Sequence, residues 1–251
     1  GISILLIILT SILIGICILC SWNIKKDIKT YIILFMISEI ILFGVFSVTD
    51  LIFFYILYEA ILIPLFMIIG IWGSRERKIL ASYQFFIYTL AGSLCMLLGI
   101  IYIYIITGTT NLPLLLNYEY LEWYEKCFLW LSFIISFAVK IPMMPFHIWL
   151  PEAHVEAPTA GSILLAGILL KLGSYGLFRY SIPLFPDISF YFFPFIFSIC
   201  SIGILYSSLT TLRQIDMKNT LAYAYTLHIN PAIIASCPCS YLWIIRSISA
   251  T

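Results

Sequence analysis

Two apolar segments, each carrying a single lysine, lie within residues 137–176. The sequence there is FAVKIPMMPFHIWLPEAHVEAPTAGSILLAGILLKLGSYG, with Lys140 in the first segment and Lys171 in the second. The first lysine is followed by Pro142, Pro145, Pro151 and Pro158. Proline removes a backbone hydrogen bond and kinks or ends a helix, so the pattern predicts a helix that breaks directly after Lys140. Because broken helices at membrane depth line wet cavities or are covered by protein, we expect Lys140 to lie beside water.

The composition places the whole chain in a membrane. Of its 251 residues, 63% are hydrophobic and 10% are charged, whereas soluble domains carry roughly 25% charged residues. This excludes a water-soluble enzyme. A spanning helix needs about 20 mostly apolar residues, and the fold class predicted is an all-α polytopic membrane helix bundle, forming one transmembrane domain over residues 1–251. The eight predicted spans are 2–21, 30–48, 51–72, 81–106, 127–149, 161–182, 190–211 and 220–236.

The basic residues are unevenly distributed between the two sides of the predicted bundle. If the spans alternate in direction, eight lysines and arginines fall on one side and three on the other. Positive charge concentrates on the cytoplasmic or matrix side, which is therefore predicted for the connections 22–29, 73–80, 150–160 and 212–219. The net charge of +1 argues against a nucleic-acid partner. The longest connection, 107–126, is amphipathic and predicts a segment at the membrane interface.

Four ionisable residues, Glu39, Glu59, Lys140 and Lys171, fall inside predicted spans. At about 1.5 Å per residue they lie roughly 12–20 Å deep in a core about 30 Å thick. Each charge there costs roughly 2.5–3.5 kcal/mol, so we expect them to face the interior and one another. They could hold the helices in register as ion pairs, but buried ion pairs are weak stabilisers. A proton relay of alternating carboxylates and lysines is the favoured interpretation.

Three histidines are candidates for extending this relay. His147 and His154 lie near the predicted interface, where they either pass protons between relay and solvent or form an ordinary hydrogen-bonded pair. Their spacing does not fit a zinc site. His228 in the last span either extends the relay or is a buried neutral histidine. Because no nucleotide-binding loop, haem ligand set or iron–sulfur ligand set is apparent in the sequence, the relay has no driving reaction of its own.

Glycines surround Lys171, and seven cysteines are scattered along the chain. Small residues let membrane helices approach closely, so the helix of residues 161–182 is predicted to be central, with its lysine held tightly by neighbours. The cysteines are predicted to be buried thiols. The Cys-Pro-Cys at 237–239 lacks the further ligands that a metal site needs, and no function is assigned to it.

Residues 137–176 resemble subunit 4 of the antiporter-like family in respiratory complex I, the NADH:ubiquinone oxidoreductase. So do LIFFYILYEAILIP at 51–64 and YSSLTTLRQIDMKNTLAYAYTLHIN at 206–230. The sister subunit 5 usually has a histidine where this chain has Lys171, which favours subunit 4.

The resemblance implies a proton-translocating module in the membrane arm, as a subunit of a translocase without redox chemistry in this chain. Glu59 and Lys140 match the family's glutamate–lysine pair, Lys171 its central relay lysine, Glu39 an acid on the preceding helix, and His228 a histidine of the second half-channel. NADH, FMN, iron–sulfur clusters and ubiquinone would bind to other subunits, so no cofactor is expected in this chain. The implied location is the mitochondrial inner membrane, or alternatively a bacterial inner membrane.

Members of that family carry further helices at both ends, so the domain is expected to be incomplete at both ends. Expected partners are membrane-arm subunits, membrane lipids and a second chain carrying the remaining helices. The alternatives are a stand-alone cation/proton antiporter, and a structural fragment that bridges membrane-arm subunits without a complete proton path.

Overall fold

Helices make up the folded chain. The computed structural model describes residues 1–22, 24–116 and 121–248, with side chains as far as residue 235. These ranges contain no β-strand beyond an isolated bridge between Asp50 and Asn111, which confirms the all-α prediction. In chain order the α-helices are α1 Ile2–Cys20, α2 Ile28–Ser47, α3 Leu51–Ala60, α4 Leu62–Trp72, α5 Lys78–Thr107, α6 Leu112–Leu115, α7 Trp123–Lys140, α8 Trp149–Glu156, α9 Thr159–Leu164, α10 Leu170–Gly176, α11 Ile182–Leu184, α12 Pro186–Tyr191, α13 Phe193–Arg213 and α14 Met217–Ile248.

Six helical stretches in the described part are long and apolar enough to cross a membrane. They agree with six of the eight predicted spans, and the other two, 127–149 and 220–236, fall on α7 and α14. The prediction for the first of these was wrong at its end, because α7 stops at Lys140. The six stretches are Ile2–Cys20, Ile28–Ser47, Leu51–Trp72, Lys78–Thr107, Thr159–Leu184 and Phe193–Arg213.

The chain turns back on itself after Lys140, as the prolines predict. Residues 141–148 form turns, and α8 follows. The indole Nε1 of Trp149 donates a hydrogen bond to the carbonyl of Val139 at 2.9 Å. The start of α8 is therefore fastened to the last turn of α7, where the final carbonyls have no partner within the helix.

The stretch Thr159–Leu184 is the most buried of the six spans. Two π-helical turns, Leu165–Leu169 and Leu177–Ser181, flank α10 within it. A Cβ added at Gly173 would lie 2.8 Å from Cγ1 of Ile141 and 3.2 Å from Cβ of Lys140. This contact confirms the predicted central helix, because only a glycine lets the backbone of α10 lie so close to the break after α7.

Side-chain hydrogen bonds hold the connections at the two ends of the bundle. Asp50 caps α3 by accepting from the backbone N–H groups of Ile52 and Phe53, and Thr110 donates its hydroxyl to the same carboxylate. At the opposite end, Trp72 donates to the carbonyl of Lys26 at 2.7 Å. The predicted interface segment 107–126 holds the short helix α6, and residues 117–120 lie outside the described part.

Candidate functional site

The side chain of Lys140, the last residue of α7, is enclosed against α3. Its side chain is 1% exposed, and its ammonium donates to the carbonyl oxygen of Tyr58 at 2.7 Å. The same ammonium lies 3.2 Å from the centroid of the Tyr58 ring. Because α3 ends at Ala60, the Tyr58 carbonyl belongs to the last turn, where carbonyls lack helical partners. Protein groups therefore surround the lysine, and its position beside water stays a prediction.

Glu59 lies beside this lysine without contacting it directly. Both carboxyl oxygens are buried and have no hydrogen-bond partner in the described part of the chain. No ion pair within 4.0 Å joins Glu59 to Lys140, since the salt bridge found among the described residues is Arg75–Asp216. The two groups nevertheless interact electrostatically. The structure thus places Glu59 near Lys140, as predicted, but the two side chains are farther apart than the atoms of a salt bridge.

Two serines complete the surroundings of Glu59 and Lys140. Ser93 on α5 lies near Glu59, but its hydroxyl donates to the carbonyl of Leu90 at 2.8 Å. Ser136, one turn before Lys140, has a buried hydroxyl without a hydrogen-bond partner in the described ranges, and its carbonyl accepts from the Tyr58 hydroxyl at 3.4 Å. The sequence analysis missed Tyr58, Ser93 and Ser136. Isolated hydroxyl residues are common in membrane helices, so only the position of Tyr58 next to Glu59 offered a signal.

Lys171 occupies a different place from the one predicted. It is exposed and lines an apolar groove of about 530 Å³ together with His228. The expectation that its neighbours hold it tightly is therefore wrong for the described part of the chain. Lys171 and Gly173 are two residues apart, which turns them about 200° around a helix. Since Gly173 faces the Lys140 break, Lys171 faces away from it.

The remaining predicted residues are dispersed. Glu39 is half-buried on α2. His147 is 8% exposed and its ring packs edge-on against Tyr206, with ring centroids 5.0 Å apart. His154 on α8 is 4% exposed and lies 5.3 Å from the ring of Tyr225. Each of these two histidines has one buried ring nitrogen that finds no hydrogen-bond partner among the described residues.

His154 and Lys218 influence one another where α8 meets the start of α14. Burial, and secondarily the charge of Lys218, lower the pKa of His154 from 6.5 to about 4. In the described part of the chain, no three His, Cys, Asp or Glu side chains gather as a metal site. Cys237 and Cys239 lie beyond the residues whose side chains are described. Of the remaining cysteines, Cys17 and Cys200 are buried as predicted, whereas Cys20 is exposed.

These features define a polytopic helical membrane protein that encloses a lysine and a glutamate between its helices. Residues 48–245 match the model of the family described as NADH:quinone oxidoreductase/Mrp antiporter, transmembrane. The chain belongs to this family.

The relatives agree with the resemblance seen in the residues. The chain is 58% identical to NADH-ubiquinone oxidoreductase chain 4 of Chondrus crispus over 229 residues, which cover 91% of this chain and 46% of that protein. It is 57% identical to the chain 4 of Arabidopsis thaliana, over 92% of this chain and 46% of that one. The chain thus spans about half the length of the curated relatives it matches.

Solved structures share the fold. A chain of respiratory complex I from Thermus thermophilus with bound NADH superposes with a TM-score of 0.78 at 30% identity, covering 90% of this chain and 48% of that one. A chain of an archaeal membrane-bound sulfane sulfur reductase also has a TM-score of 0.78, at 22% identity, over 93% of this chain and 39% of its own length.

Proposed function

We propose that this chain is a proton-translocating membrane-arm subunit of NADH:ubiquinone oxidoreductase, respiratory complex I. The observation that carries the proposal is the enclosed Lys140 beside Glu59, whose buried carboxyl oxygens have no hydrogen-bond partner among the described residues. Apolar packing would hold these helices together without burying two ionisable groups. Titratable groups at membrane depth mark ion and proton pathways.

The geometry suggests how the first pair works. The charged form of either group is stabilised by the opposite charge on its neighbour and penalised by burial. The proton occupancy of Glu59 therefore depends on the charge of Lys140. Because the ammonium is held by a neutral carbonyl and ring of Tyr58, it can approach or leave Glu59 without breaking a salt bridge.

Lys171 and His228 form the second proton-exchanging site of the proposed path. Both line the groove on the side of α10 that faces away from Lys140. A proton passing from Lys140 to Lys171 has to cross α10, where Gly173 makes the separation small. Glu39, His147 and His154 are proposed as further proton-exchanging groups of the path.

The proposal places redox chemistry in other subunits. NADH, FMN, iron–sulfur clusters and ubiquinone bind elsewhere in the complex, and neighbouring membrane-arm subunits couple the redox reaction to proton movement in this chain. Membrane lipids are further partners. A second chain that carries the remaining helices of the family would cover the Lys171 groove. The membrane is the mitochondrial inner membrane, with the connections 22–29, 73–80, 150–160 and 212–219 on the matrix side.

Two substitutions test the relay in membrane vesicles that contain the complete complex. Glu59→Gln and Lys171→Met should each reduce NADH-driven proton pumping at least about tenfold, because a lost proton-transfer group typically costs that much or more. Lys29→Met, which removes an exposed cation from the first turn of α2, serves as the control. Pumping is measured with a pH-sensitive dye while NADH oxidation is followed separately.

The outcomes separate the competing functions. Normal pumping in both variants would refute the relay. Loss of assembly without any change in pumping per complex would support the structural fragment. Cation/proton exchange by the chain alone in liposomes would support a stand-alone antiporter.

A further inference from the structure

Lys218, in the first turn of α14, ties together three segments. Its ammonium donates to the carbonyl oxygens of Ala157 at 3.0 Å and Val155 at 3.3 Å, and to the hydroxyl oxygen of Ser74 at 3.4 Å. A lysine ammonium has three hydrogens to donate, so all three are in use. The two carbonyls lie at the C-terminal end of α8, where a cation also interacts favourably with the helix dipole.

Two neighbouring contacts join the same segments. The backbone N–H of Ser74 donates to the carbonyl of Glu156 at 2.9 Å. Arg75 forms a salt bridge of 3.0 Å with Asp216, two residues before Lys218. The Arg75–Asp216 pair is about half exposed, so it contributes little stability. Lys218 is less exposed than this pair, so its hydrogen bonds contribute more than the Arg75–Asp216 salt bridge to holding the segments together.

The side chain of Glu156 gives this junction a buried negative charge. It is 6% exposed, and its Oε2 has no hydrogen-bond partner in the part of the chain that the structure describes. It interacts electrostatically with both Lys218 and Arg75. A carboxylate buried in this way requires a cation nearby, and Lys218 supplies it without forming a direct salt bridge.

The junction lies between the two charged sites of the molecule. The start of α8 is bonded to Val139, next to Lys140, and its end is bonded to Lys218. Along α14, Lys218 is followed by Tyr225, which packs against His154, and by His228, which lines the Lys171 groove. The short helix α8 thus connects the Lys140 site to α14, the helix that carries His228.

We propose that Lys218 is a positioning residue that fixes α8 against α14, and thereby sets the placement of the Lys140 site relative to the Lys171–His228 groove. This inference rests on the proposed function, because the two sites have to exchange protons for the placement to matter. Lys218 itself does not transfer the proton.

The test uses the complete complex in membrane vesicles, with Lys218→Met, Lys218→Arg and Lys25→Met variants. Lys25 is an exposed cation of the 22–29 connection, so Lys25→Met is the matched control. We expect Lys218→Met to lower the protons pumped per NADH oxidised about tenfold, since it removes several hydrogen bonds to a charged group. Lys218→Arg should restore the ratio, and Lys25→Met should leave it unchanged.

A pH profile gives a readout that a purely structural role would not move. Burial and the neighbouring Arg75 lower the pKa of Lys218, whereas Glu156 acts in the opposite direction. Other titratable groups near the junction are His154 and Glu152 on α8, Asp216 beside Arg75, and Glu76 and Arg77 after Ser74. As the pH rises through its pKa the amine loses a donor, so the pumping ratio should fall on the alkaline side. Lys218→Arg should retain the ratio to higher pH, because arginine stays protonated.

The outcomes distinguish this inference from the proposed function. If Glu59→Gln and Lys171→Met abolish pumping but Lys218→Met pumps normally, only the positioning role of Lys218 is refuted. If the complex with Lys218→Met does not assemble, the Lys218→Arg variant provides the test of the positioning role, because arginine keeps the positive charge. An alkaline profile of Lys218→Arg that coincides with that of the unsubstituted complex would overturn the inference.

Discussion

At the level of single residues, the main finding is that Lys140 is buried against neutral groups. A carbonyl and an aromatic face can partly replace the hydration of an ammonium, the latter contributing on the order of 2 kcal/mol when desolvated. Among the described residues, Glu59 has no such replacement, since neither of its carboxyl oxygens has a hydrogen-bond partner there. The protonation states of the two groups therefore depend on burial and on their mutual attraction. A change in the charge of one group can thus change the protonation state of the other.

His154 provides a pH-dependent prediction. Its pKa falls from 6.5 to about 4 in the folded protein, chiefly by burial. The unfolded chain therefore binds more protons between these values, and the free energy of unfolding decreases as the pH falls from 6.5 towards 4. The full loss is on the order of 3 kcal/mol. We expect the thermal unfolding midpoint of the detergent-solubilised complex to fall over this range.

The variant His154→Gln isolates this contribution. Glutamine has no titrating group, so the variant should show a smaller decrease of the midpoint between pH 6.5 and pH 4. Parallel curves for the two proteins would contradict the prediction.

The charged residues could be predicted from the sequence, but their contacts could not. Charges are rare inside apolar spans, so Glu59, Lys140 and Lys171 stand out at once. Pro64 cannot donate a hydrogen bond to the Ala60 carbonyl, so the sequence does signal an interruption at the end of α3. The bond from Lys140 to the Tyr58 carbonyl could not be predicted, because it depends on how α3 packs against α7. The exposure of Lys171 depends on which side of α10 faces the rest of the bundle, and that is fixed by tertiary packing.

At the level of helices, the packing of α10 against the end of α7 determines how close the two lysine-bearing segments lie. A Cβ at Gly173 would lie 2.8 Å from the Ile141 side chain and 3.2 Å from the Ile141 backbone nitrogen. We expect Gly173→Ala to destabilise the protein by about 1–3 kcal/mol through overpacking. Thermal unfolding in detergent measures this loss.

Gly15 in α1 is the matched control. Nothing lies within 4 Å of a Cβ added there, and alanine favours helices over glycine by about 1 kcal/mol. Gly15→Ala should therefore be neutral or stabilising. Equal unfolding midpoints for the two variants would show that α10 and α7 do not pack as described.

The helix boundaries show which parts of the fold are encoded locally. The prolines after Lys140 predict the break, because they act on their own backbone. The two π-helical turns around α10 carry no such signature in the sequence. They arise where a helix accommodates an extra residue against its neighbours, so the surrounding helices decide their position.

At the level of the whole molecule, the Lys171 groove is the surface that most requires a partner. An ammonium facing hydrocarbon is costly, and the groove around it is lined mainly by apolar side chains of α1, α14 and the stretch Thr159–Leu184. The chain spans about half the length of its relatives. Covering the groove with the remaining helices of the family would remove Lys171 from lipid and give it polar partners.

Photo-crosslinking in the complete complex tests this covering. A benzophenone amino acid in place of Phe178, which lines the groove, should crosslink to a helix of the proposed partner chain, identified by mass spectrometry. The same amino acid in place of Phe137, which is fully buried, should crosslink only within this chain. Lipid adducts alone at position 178 would mean that the groove is open to the membrane. Lys171 would then face lipid, and the path from Lys140 would end before reaching a second chain.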